Sequence, residues 1–189
     1  MLSDYTELLS ILNAHRVKYL VIGAYAVAIH AQPRATKDLD ILVKADAANA
    51  AAVFAALAEF GAPLPGLTSA DFARPGAFFR MGREPVGVGI LTAIPGVEYD
   101  AAWSRRVEDV FDEGTNLRAN FISREDLLAG KRAAGRRQDL ADVEAIEKAA
   151  KSQQPKVSKT KPQRLSRAAL SGERLAFLNR FETNWKSSG

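Results

Sequence analysis

The sequence predicts an α/β chain of the α+β kind: a mixed sheet flanked by helices, with further helices at the C-terminal end. Three observations carry this. Apolar runs of strand length alternate with stretches of helical period, in the order strand, helix, strand, helix, then strands, then helices. Gly23 stands where the first apolar run gives way to a helical one. Composition changes after Ala150, where a polar, basic, proline-containing stretch begins.

Taken in order, Ser3 and Asp4 are helix-start residues, and Leu8, Leu9, Ile11 and Leu12 then repeat at helical spacing. Lys18 to Ile22 is a short apolar strand ended by Gly23, and Ala24 to Ala31 is a short helix. Gln32 to Thr36 is a loop. Asp38-Leu-Asp-Ile-Leu-Val43 is a strand with two acids on one face, because side chains two apart along a strand point the same way. Asp46 to Phe60 is Ala-rich and helical, and Gly61 to Gly66 is a loop. Ala77 to Met81 and Val86 to Thr92 form neighbouring strands, followed by Val107–Phe111 and Leu117–Ile122. Ser123, with Asp126 three residues on, caps a helix near 124–134, and Gly135 separates it from another near 137–150.

This gives a body at 1–150, a basic linker at 151–163 and a helical tail at 164–189 carrying Leu175, Leu178, Phe181 and Trp185. Net charge is +4, but residues 151–189 hold nine Lys and Arg against two Glu, a local +7. The body is therefore slightly acidic, and the chain's basicity says little about what the body binds. The tail's charge allows contact with nucleic acid through phosphates, while a solvated linker with a docking helix suits it equally. There is no cysteine and there are two histidines, His15 and His30. That excludes disulfides and thiolate metal sites and points any metal toward oxygen ligands. The first ten residues carry acids where a secretory signal carries bases, and no run approaches a membrane span. The expectation is a cytoplasmic protein without a membrane partner.

Two segments belong together chemically. A strand-to-helix junction such as Gly23-Ala24 offers backbone N–H groups to an anion, and glycine lets phosphate come close. Separated from Ala24 by thirteen residues, Asp38 and then Asp40 place two carboxylates about 6–7 Å apart on one strand face, a pair that a divalent cation stabilises. Arg34, Thr36 and Lys37 lie just before them and suit further phosphate contacts. Separately, each feature is equally at home as an ordinary turn or a solvated strand end. Together they describe a nucleoside triphosphate held at Gly23, with Mg²⁺ (or Mn²⁺) on Asp38 and Asp40.

The stretch VIGAYAVAIHAQPRATKDLDILV resembles the signature of the DNA polymerase β-type nucleotidyltransferase superfamily: apolar residue, Gly, Gly or Ser, about ten residues, then Asp-x-Asp in an apolar strand. More narrowly, Arg34, Thr36, Asp38 and Asp40 resemble the Arg-x-Thr-x-Asp-hydrophobic-Asp run of small bacterial nucleotidyltransferases related to AbiEii-type toxins. The later run Lys131-Arg-Ala-Ala-Gly-Arg-Arg-Gln-Asp139-Leu-Ala-Asp142 resembles that group's Lys-rich helix leading to Asp. The resemblance spans roughly 5–148 and leaves out the tail. It implies a nucleotidyltransferase-like fold and transfer of a nucleoside monophosphate to an acceptor such as RNA, protein or a small molecule. It makes Asp38 and Asp40 metal ligands and catalytic residues, with Gly23 and Ala24 facing the triphosphate and Lys131, Arg136 and Asp139 near the nucleotide. An exposed, salt-bridged helix pair also fits 131–139. A place in a toxin–antitoxin system is a further implication.

Two positions depart from the pattern. Ala24 lacks the hydroxyl of a Gly-Ser signature but keeps its N–H. Gly89, in Pro85-Val-Gly-Val-Gly-Ile-Leu-Thr92, stands where the family carries a third acid. Without that acid, nucleotide binding persists while transfer slows, which leaves open a binding protein without chemistry. Glu84, Glu98 and Asp100 are the nearest acids, none at the expected place. Among the remaining candidates, His30 and Trp103 read as packing residues before phosphate or base contacts, and His15 is assigned no chemistry.

Overall fold

The computed structural model describes residues 2–32, 36, 38–82 and 87–153. Arg34, Lys37, Glu84 and the stretch from 154 onward, which includes nearly all of the expected linker and the tail helix, lie outside the described residues. The chain divides into two units, Met1–Gln154 and Pro155–Gly189, and every described residue belongs to the first.

Seven helices and six strands are described, in the order α1 (Leu2–Ala14), β1 (Tyr19–Ile22), α2 (Gly23–His30), β2 (Asp38–Val43), α3 (Ala47–Glu59), α4 (Ser69–Phe72), β3 (Phe78–Met81), β4 (Gly87–Leu91), α5 (Tyr99–Ser104), β5 (Val107–Asp112), β6 (Leu117–Phe121), α6 (Arg124–Ala134) and α7 (Arg137–Gln153). The strands form one mixed sheet in the order β3-β4-β2-β1-β6-β5. The β1–β2, β3–β4 and β5–β6 pairs are antiparallel, and β1–β6 and β2–β4 are parallel. This is the mixed α+β architecture expected from the element order. No helix among the described residues is long and apolar enough to cross a membrane.

The central strands are the most apolar. β1 is buried at all four positions, as are Leu39, Ile41, Leu42 and Val43 of β2. They pack with Leu8, Leu9 and Leu12 of α1, Val53 and Leu57 of α3, and Ile146 of α7 in one core. Tyr19 sits inside this core with its hydroxyl donating to Asn13 Oδ1 at 2.9 Å, and burial pushes its phenol up to about 12. Buried Asn49 stitches the strand ends to α3. Its amide accepts from Lys18 N (2.7 Å) and donates to Lys18 O (3.1 Å) and Lys44 O (3.0 Å), satisfying backbone groups that the short β1–β2 ladder leaves over. Asn49 thereby helps fix the register that sets where Asp38 and Asp40 stand.

Beyond one-residue differences at element ends, the structure departs from the sequence-based reading at four helices. α1 begins at Leu2, so Ser3 and Asp4 fall inside its first turn and do not precede it. The short helices α4 and α5 were not expected; each is made by a capping side chain. Thr68 and Asp71 form a capping box, and Glu98 accepts from the N–H groups of Asp100 and Ala101. α7 runs on to Gln153, past the expected break at Ala150, since Lys, Ser and Gln all tolerate a helix and the first proline is Pro155.

Candidate functional site

One wall of the site is built by strand register. β2 lies between β1 and β4, pairing Asp40 with Ile22 on one side and Gly89 on the other, and Asp38 with Gly87. Gly23 follows Ile22 with φ +64, a conformation that favours glycine, and opens α2. A Cβ at Gly23 would lie 2.5 Å from Asp40 Oδ2, and one at Gly89 would lie 2.6 Å from Asp40 Oδ1. The carboxylate of Asp40 is therefore clasped between two glycines, and each gap is needed for it to sit there. Asp38 is handled similarly: a Cβ at Gly87 would come within 2.9 Å of its Oδ1, where Arg80 Nη2 also approaches at 3.4 Å.

Burial first, and the charge of Asp38 second, push the Asp40 carboxyl above its ordinary value, with Arg136, Lys131 and Arg80 pulling the other way. Two carboxylates on one strand face, one of them costly to ionise, form a donor set that a hard divalent cation would relieve, and such cations favour one or two carboxylates plus phosphate oxygens. Among the described residues, no group of three or more His, Cys, Asp or Glu side chains comes together for a metal.

The opposite wall is built by side chains on two helices. Ser123 caps α6, accepting from Asp126 N, and Gly135 ends it at φ +65, turning the chain into α7. The turn places Lys131, in the last turn of α6, against the first turns of α7. Lys131 is only 7% exposed, and its Nζ meets Asp139 Oδ1 at 3.3 Å and Asp142 Oδ2 at 2.6 Å. Gln138 Nε2 donates to Asp142 Oδ1 at 3.2 Å. Arg136 Nε donates to Asp139 Oδ2 at 2.6 Å while most of its side chain stays in solvent. Burial alone would push the Asp139 carboxyl up, but Arg136 and Lys131 outweigh it and hold the group below the usual carboxylate range.

The two walls face each other across a cavity of about 440 Å³. Its polar lining is Gly23, Asp40, Lys131, Arg136 and Asp139, and its apolar lining includes Phe78, Leu91, Ile94, Pro95 and Leu127. Five residues singled out from sequence thus share one cavity, although 90 residues separate Asp40 from Lys131. The run 131–139 is salt-bridged and largely exposed, as a solvated helix pair would be, but Lys131 and Asp139 are buried in it, as is Asp142 just beyond.

Other expected site residues stand elsewhere. Ala24 is buried and does not line the cavity. The Thr36 hydroxyl donates to Asp38 O at 3.1 Å, tying it to the start of β2, and Asp38 flanks the cavity without lining it. Arg34 lies outside the described residues. Glu98 is spent on capping α5, and Asp100 pairs with Lys44 at 2.8 Å, so neither reaches the place opposite Asp40. The His30 ring bonds Ile122 O at 2.9 Å, and Trp103 carries the Arg106 guanidinium 4.1 Å above its ring; both act in packing.

Three neighbours were missed. Phe78 and Arg80 share one face of β3, and their role depended on which face of that edge strand meets the carboxylates. Asp142 had a readable signal, since it lies one helical turn from Asp139 and so shares its face.

No curated protein matches this chain. A family described as nucleotidyltransferase of unknown function (DUF6036) matches residues 2–187, and so takes in the basic tail that the sequence resemblance left out. The chain belongs to that nucleotidyltransferase family.

Proposed function

We propose that the protein is a Mg²⁺-dependent nucleotidyltransferase that moves a nucleoside monophosphate from a nucleoside triphosphate to an acceptor. The observation that carries this reading is the cavity that brings Asp40 and Gly23 together with Lys131, Arg136 and Asp139 in a lining that also holds apolar side chains. Its polar side chains suit phosphates and its apolar ones suit a base.

In this reading Asp38 and Asp40 would hold Mg²⁺, or Mn²⁺ in its place. The ion, when bound, neutralises the triphosphate and polarises the phosphoryl group under attack. The chain's own residues do the rest. Gly23 brings the α2 N-terminus, whose N-cap Ile22 makes no side-chain cap bond, close to phosphate without a methyl group in the way. Arg136, largely in solvent, swings its guanidinium between Asp139 and incoming phosphate oxygens, and Lys131 holds positive charge at the cavity wall. Asp139 orients both cations. Arg34 and Thr36 are proposed phosphate contacts, and Ala24 contributes only its backbone N–H. The acceptor is RNA, protein or a small molecule, and the tail's basic charge is compatible with a nucleic-acid contact. Kinship with AbiEii-type toxins rests on the Arg34-x-Thr36-x-Asp38-x-Asp40 run.

The test is incubation of the full chain with each α-labelled nucleoside triphosphate, Mg²⁺ or Mn²⁺, and a cell extract. Label should pass to a macromolecule or small molecule and be lost in Asp38→Ala. Undiminished transfer by a folded Asp38→Ala variant would sink the assignment. A second reading is favoured by Gly89 pairing directly with Asp40: a family member that binds nucleotide without transferring it. Nucleotide binding with no transfer in any arm of the same assay would select it.

A further inference from the structure

Resting on the nucleotide reading of the cavity, we propose that Phe78 is its base platform and that the site accepts all four nucleobases with little discrimination. Phe78 lies on the edge strand β3, and strand alternation puts Phe78 and Arg80 on one face while Phe79 turns to the core, 4.3 Å between ring centroids from Phe72. Phe78 is 59% exposed and still lines the cavity that Asp40 lines. Its ring edge lies 3.2 Å from where a Cβ of Gly89 would be. The glycine that replaces the expected acid therefore lets an aromatic ring settle against the sheet beside Asp40. A large aromatic side chain that is mostly exposed and lines this cavity can offer a π-face to a planar ring.

The composition of the surrounding wall sets the specificity. The apolar side chains of the lining, among them Leu91, Ala93, Ile94, Pro95 and Leu127, carry no hydrogen-bond donor or acceptor. The polar side chains of the lining are Asp40, Lys131, Arg136 and Asp139, the groups assigned above to metal and phosphate. A base held by stacking and apolar contact is recognised by its π-face, which every base has, and not by its hydrogen-bonding edge. Purines gain somewhat over pyrimidines through larger stacking area.

The experiment is calorimetric titration of the full chain, with Mg²⁺, by the α,β-methylene analogues of ATP, GTP, CTP and UTP, and by inorganic tripolyphosphate. The four analogues should bind within about fivefold of one another. Phe78→Ala should weaken all four by about tenfold and leave tripolyphosphate binding unchanged, with Phe78→Tyr restoring affinity. Circular dichroism checks that Phe78→Ala is folded. Preference for one base by more than about thirtyfold, or unchanged analogue affinity in Phe78→Ala, overturns the proposal while leaving the nucleotide reading standing. If no analogue binds, that reading falls and the platform with it.

Discussion

Asp40 and Asp139 line the same cavity from opposite walls, and their environments push them in opposite directions. Asp40 is raised, by burial and then by Asp38, while Asp139 is lowered because Arg136 and Lys131 outweigh its burial. The strand wall is held by backbone register and by glycines that leave room. The helix wall is held by ion pairs among buried side chains. The first wall carries two carboxylates that Arg80, Arg136 and Lys131 offset only in part, and in the second each buried carboxylate is paired with a cation. A triphosphate with a divalent cation complements that difference, since the cation relieves the first wall and the phosphates draw on the cations of the second.

The largest effect should come from removing the strand wall's charge. Asp40→Ala is expected to lower nucleotidyl transfer by at least about a hundredfold, measured by initial rates of label transfer. A folded variant within a few-fold of the parent chain would break the proposed division of labour. Next in size is the helix wall. Lys131→Met leaves Asp139 and Asp142 facing each other without their shared cation and should cost about 3 kcal/mol in urea unfolding. A loss below about 0.5 kcal/mol would mean that the buried triad does not hold the wall together.

Gly23→Ala tests the clasp. The positive φ and the 2.5 Å approach to Asp40 Oδ2 should together cost about 2 kcal/mol. Gly61, also at positive φ but with nothing near its Cβ position, is the comparison, and Gly61→Ala should cost less.

The smallest effect sharpens the comparison through pH, in chelator and without nucleotide. A carboxyl raised in the folded state lowers stability as pH rises through the interval from its unfolded to its folded value, so Asp40→Asn should be more stable than the parent at pH 7. A carboxyl lowered in the folded state adds stability above its unfolded value, about 4, and loses it as pH falls through its folded value. Asp139→Asn should therefore be less stable than the parent at pH 7, and the deficit should shrink with acidification. Equal signs for the two variants in thermal melts would contradict the opposed environments.

The legibility of the site follows the same division. Gly23, Asp38 and Asp40 were readable because a strand and its turn place near neighbours in sequence near each other in space. The helix wall was only partly readable. Lys131 and Asp139 came from the resemblance, while Asp142 was passed over and the burial of all three was not visible in so charged a run. Phe78 was invisible as a site residue, since a Phe-Phe pair on a strand does not say which ring faces the core. Helices α4 and α5 escaped because single caps of Thr68 and Glu98 make them, with no periodic stripe.

By itself the sequence determined the alternation of strands and helices, the two carboxylates on one strand face and the glycine turn before them, all consequences of spacing along the chain. Only the tertiary structure decided that Gly89 lies beside Asp40, that Lys131 is locked between two acids, and that both walls enclose one cavity. Those relations join residues tens of positions apart, and they come from sheet register and helix packing, which no local pattern specifies.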